Sequence, residues 1–189
     1  MKNPMKKAYE GVDSTLMYGA NKAVQAWNWT TGRTKSDLAN LLMDGFAITG
    51  SAGQIVLGPQ AVVGVPVFLG IAHISQKENI KIDKLEQESA EEGMRHLKVE
   101  RSKELHKEVG PLKGIMGIAL LFPIQSYNIK IKGGSALCAS AFAFWGASDY
   151  IMRTDYLPPR KNVLRRAKDK LKEMVEAYQQ PGLLPMPAC

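Results

Sequence analysis

Four ionisable residues stand out because their sequence neighbourhoods are almost free of charge: Asp44, His73, Lys113 and Asp149. A carboxylate held among apolar side chains is driven toward protonation, and a lysine or histidine beside it restores the charged form. Such a set can hand on protons or hold a small cation or polar solute. It can equally satisfy itself as a buried ion pair, and His73 and Lys113 can also reach an interface along their own stems. Asp44 lies six positions after Leu38 and Asp149 five before Thr154, where the flanking apolar segments begin and end. At a helical rise of about 1.5 Å per residue both acids fall roughly 7–9 Å inside those segments, in one layer.

No second chemistry competes strongly. Glu92, His96, Glu104 and His106 lie in a charged stretch, but Glu92 and His96 have no facing partner pair and no HExxH occurs, so no metal site is assigned. Cys138 and Cys189 have neither CxxC nor zinc-type spacing and are expected as free thiols. No phosphate loop and no nucleophile beside a base are found, so no catalytic residue and no cofactor are assigned.

The elements that must position these residues are helical. Residues 45–76 run without Asp, Glu, Lys or Arg. With the preceding residues they divide at "GPQ" into two apolar helices, the first of them about 20 residues long, the length that crosses a bilayer core. A second apolar pair follows the charged stretch. The fold class expected is therefore all-α, a polytopic membrane protein with four transmembrane helices as two hairpins, with a soluble helical bundle around a buried core as the alternative. Residues 1–37 form an N-terminal interfacial amphipathic helix, with Asp13 or Ser14 as N-cap, Leu16, Met17, Ala20, Val24 and Trp27 on one face, and Trp27 and Trp29 as anchors. Residues 38–76 form the first hairpin, its helix starting at the N-cap Ser36. Residues 77–110 are a charged helical connector, 111–154 the second hairpin, and 155–189 a basic amphipathic helix with a Pro-rich tail. Pro66 and Pro123 fall inside apolar segments. Gly110 with Gly114, and Ala139 with Ala143 and Ala147, have the spacing of close helix contacts.

Charge supplies the orientation. Of 25 basic residues, 23 fall in the three segments on one side of this arrangement, leaving Lys130 and Lys132 on the other. That asymmetry places both termini and the connector in the cytoplasm, making the protein multi-pass. The start of the chain lacks an apolar stretch of the secretory-signal kind, "NWT" at Asn28 is then an inert glycosylation match, and "PAC" is not a prenylation box. The tail carries Arg160, Lys161, Arg165, Arg166, Lys168, Lys170 and Lys172 around an apolar stripe of Leu164, Ala167, Leu171, Met174 and Tyr178. Anionic lipid headgroups are its expected partner, and nucleic acid is disfavoured because no aromatic interleaving accompanies the charge. The function expected is a non-enzymatic integral membrane scaffold or oligomeric assembly subunit acting through its cytoplasmic helices, alone as a homo-oligomer or with a membrane partner protein. The alternatives are a proton-coupled carrier using Asp44 and Asp149, and a membrane-embedded enzyme drawing on the same two acids.

Overall fold

Two glycines and one proline set the first boundaries. The computed structural model describes residues 4–92, 97–119, 128–160 and 163–179. Helix α1 (Pro4–Thr31) starts on a proline, whose missing N–H is no loss in a first turn. It ends at Gly32, with φ 75°, whose N–H donates to Asn28 O at 2.9 Å. Helix α2 (Lys35–Leu57) ends at Gly58, with φ 117°. Both positions need the left-handed backbone that side chains resist. A 3₁₀ turn (Val62–Gly64) then leads into α3 (Val65–Glu92), followed by α4 (Leu97–Ala119), α5 (Ile129–Arg153) and α6 (Val163–Gln179). The architecture is all-α, with no strand among the described residues.

Several boundaries differ from the sequence expectation. Asp13 and Ser14 lie inside α1, because helix formers upstream extend it to Pro4. Helix α2 is capped by Thr34 rather than Ser36, and the Asp37 carboxylate accepts the Thr34 N–H at 3.2 Å. Pro66 sits in the first turn of α3, where it breaks no helical hydrogen bond. The charged connector is not a separate piece either, since α3 runs unbroken from apolar Val65 to Glu92 and α4 returns from Leu97 to apolar Ala119. Each of these helices is thus apolar in one half and charged in the other. Among the described residues no helix is long and apolar enough to cross a membrane, so the helices do not by themselves support four spans. Pro123, His96 and Lys161 lie outside the described residues, as do the surroundings of Gly110 and Gly114.

Helix α2 is central, packed on α5 on one side and on α3 on the other, while α4 covers α5 and α1 crosses α5 and α2. Two clusters fill the space between them. Ala20, Val24, Ala39, Ile82, Ile151 and Met152 join α1, α2, α3 and α5. Met43, Phe46, Ala47, Ala72 and Ala141 form the second, where the Phe46 ring lies 5.1 Å from Phe68 and 5.2 Å from Trp145. Beyond the aromatic layer α2 and α5 come closest. A Cβ on Gly53 would stand 2.9 Å from Gly134 O, and one on Gly134 would stand 3.0 Å from Gly53 O. Of the alanine stripe on α5 only Ala139 is buried, while Ala143 and Ala147 are exposed, because the tight face is the one bearing Gly134 and Cys138.

Candidate functional site

The last turns of α5 collect most of the buried charge. Trp145 and Asp149 are four residues apart and share one face of α5, while His106 and Lys113 are two turns apart on α4. The four meet where the helices touch. Lys113 Nζ donates to Asp149 Oδ2 and lies 4.1 Å from the centre of the Trp145 ring, and His106 Nδ1 lies 2.8 Å from Asp149 Oδ1. Asp149 is 3% exposed. A carboxylate near a helix C-terminus opposes the helix dipole, so the lysine answers both the burial and the field.

One turn further on, Lys35 is fully buried. Its ammonium donates to Met152 O at 3.1 Å and Thr154 O at 2.5 Å, and pairs with Glu86 Oε2 at 2.6 Å. Two of its N–H bonds go to carbonyls that the end of α5 leaves without helical donors, and Glu86 supplies the counter-charge. Glu86 holds Lys103 as well, at 2.9 Å, joining α3 to α4. Loss of water pushes the Lys35 ammonium below its ordinary value, against the opposing pull of Glu86. On the other flank Arg153 grips Asp13 of α1 with two parallel hydrogen bonds of 2.8 and 2.9 Å, and Tyr150 donates a third at 3.0 Å. The Arg153 guanidinium holds the Asp13 carboxyl below its usual range.

Of the four residues singled out by their uncharged neighbourhoods, the fold brings only Lys113 and Asp149 together. Asp44 is exposed and accepts from Gln76 Nε2 at 2.7 Å, in a polar ladder on α2 and α3 that includes Asn40 with Asn79 and Ser36 with Asp83. His73 is exposed on α3. A shared depth is therefore not a shared face. Of the other partners at this end, Lys35, Glu86, Lys103 and Arg153 have no role in the sequence reading, while His106 enters it only as a rejected metal ligand and Asp13 only as a helix cap. Lys35, Glu86, Lys103 and His106 lie in stretches dense with charge, where nothing distinguishes a buried lysine from a solvated one. Arg153 carried a weak signal, as the basic residue closing an apolar helix.

The seven basic tail residues do not act alike. Arg166 turns inward, donating to Trp29 O with its guanidinium 5.2 Å from the Trp29 ring centre. The Arg160 N–H donates to Gly32 O at 3.1 Å. Arg165, Lys168, Lys170 and Lys172 face outward, as do Leu171, Met174 and Val175. Asn28, buried beneath this junction, bonds Arg33 O and Pro158 O, so the base of α6 is tied to the end of α1. Among the described residues no group of three or more His, Cys, Asp or Glu side chains is placed to hold a metal. The chain matches no protein-family model, no curated protein and no solved structure.

Proposed function

We propose that this protein is a helical scaffold that works at a lipid bilayer, with the uncharged halves of α2–α5 in the membrane and the charged halves, α1 and α6 on the cytoplasmic side. The observation that carries this reading is a belt of outward-facing aliphatic side chains at the uncharged end: Ile48 and Ile55 on α2, Val67 and Ile74 on α3, Ile115 and Ile118 on α4. Ile48 is 69% and Ile118 63% exposed, and adjoining apolar exposure on neighbouring helices marks a surface meant for lipid or protein. The belt also accounts for the asymmetry of basic residues, since lysine and arginine are held on the cytoplasmic side. Helix α6, with Leu171, Met174 and Val175 exposed between basic residues, fits an anionic headgroup layer.

A scaffold fits this geometry better than a carrier. Asp149 is closed within a helix contact, and Asp44 has a separate partner on another face, so the two acids do not frame one path. The test is topological. With Cys138 and Cys189 replaced, a single cysteine at Gly133 should react with an impermeant maleimide applied to intact cells, and one at Ser89 should react only after permeabilisation. Equal labelling of both in intact cells removes the membrane-spanning scaffold.

A further inference from the structure

An open cavity of about 380 Å³ lies between α2, α3, α4 and α5, beyond the aromatic layer and away from every buried ion pair described above. Its volume falls within the roughly 300–1,000 Å³ typical of small-molecule sites. The walls are mostly hydrocarbon and sulfur, with Phe68, Met116 and Phe142 among them. Phe68 is held there by Gly50, over which its ring lies so closely that any side chain on Gly50 would displace it. Three polar groups interrupt the apolar lining: Gln54, Ser135 and Cys138. Two of them satisfy each other, with Gln54 Nε2 lying 3.4 Å from Cys138 Sγ.

Ser135 is different. Hydroxyls inside helices ordinarily bond back to the preceding turn, as Thr49 does to Gly45 O at 2.7 Å and Ser140 to Ala136 O at 2.9 Å. Ser135 makes no such bond and has no other partner among the described residues, although it is only 5% exposed and lines the cavity. Its hydroxyl opens onto the cavity, free to donate to a ligand acceptor placed against it.

We propose that this cavity is a binding site for an uncharged, mainly hydrocarbon molecule carrying a carbonyl acceptor, with Ser135 donating to that carbonyl and Phe68 and Phe142 packing on its rings or chain. Among the described residues no charged group lines the space, which disfavours charged ligands by the cost of desolvating them. The inference stands apart from the bilayer reading, because the cavity is formed by the helices themselves.

The full chain in detergent would be titrated with prodan, an uncharged naphthyl ketone whose emission shifts to the blue in apolar surroundings. Saturable blue-shifted emission above that of empty micelles is expected. Ethylnaphthalene, which lacks the carbonyl, should compete about two- to tenfold less well than acetylnaphthalene, the range for one hydrogen bond. Ser135→Ala should weaken prodan by a similar factor, and Ser135→Leu, filling the space, should abolish saturable binding. Asp44→Asn should leave it unchanged. Binding no greater than to empty micelles, or full affinity in Ser135→Leu, overturns the site. Equal competition by the two naphthalenes together with unchanged affinity in Ser135→Ala overturns the carbonyl assignment. Helical content by circular dichroism identifies a variant that has not folded, and Ser135→Ala, which removes one atom, keeps the test decisive if Ser135→Leu fails.

Discussion

The two ends of the α2–α5 bundle are held by opposite means. At the charged end α5 is ion-paired to α1 and α4, and its last carbonyls take Lys35 of α2, itself paired with Glu86 of α3; Lys35, Glu86 and Asp149 lie almost wholly out of water. At the uncharged end α2 and α5 meet backbone to backbone across Gly53 and Gly134, with no ionised group between them. Buried charges are costly to strand but specific in their pairing, whereas glycine contacts depend on shape alone. The difference teaches where each kind of error is expensive. Losing one charged partner should damage the first end, and adding one methyl group should damage the second.

The largest expected effect is at the charged end. Asp149→Asn leaves Lys113 buried beside Trp145 without its counter-charge, and should destabilise by about 3–5 kcal/mol. Asp44→Asn, on an exposed face with a neutral partner, should change stability by no more than about 0.5 kcal/mol. Thermal or denaturant unfolding in detergent measures both. Combining Lys113→Met with Asp149→Leu should recover most of the loss, since a well-packed apolar pair can replace a buried ion pair. Equal costs for Asp44 and Asp149 would erase the distinction between them.

A middle-sized effect is expected where the glycines meet. The methyl of Gly134→Ala would lie 2.5 Å from Leu57 Cγ and 3.0 Å from Gly53 O, and the backbone oxygen cannot move aside as a side chain can. Overpacking of this kind costs about 1–3 kcal/mol. Gly133→Ala, one residue earlier, meets only Val56 at 3.7 Å, an ordinary contact. It should be neutral or slightly stabilising through helix propensity. A Gly134→Ala protein as stable as the wild type would show that the close approach is dispensable.

The smallest effect concerns Asp13. Its carboxyl is held below the ordinary value of 3.8, so the folded state binds its proton less readily than the unfolded chain. Its contribution is complete above that value and disappears as pH falls through the lower, folded one. Asp13→Asn should therefore lower stability at neutral pH by about 1 kcal/mol or less, the range of a partly exposed pair. The gap between wild type and variant should close in acid. A gap that does not narrow as the pH falls below 3.8 would mean that Asp13 acts through packing rather than charge.

The sequence by itself determined that the protein is all-α, because long runs of helix formers are broken at Gly32 and at Gly58, where the backbone turns left-handed. It also marked Lys113 and Asp149, since a charge alone in an apolar run must find a partner. It did not reveal that Asp44 and His73 face away from them. Depth along a helix follows from counting residues, but the direction a side chain faces depends on how neighbouring helices are rotated. The same limit hid Lys35, whose burial arises only when the end of α5 and Glu86 of α3 arrive around it. Spacing governs what lies along one helix. Only tertiary packing decided which charges lost their water, because desolvation is a property of the space between helices.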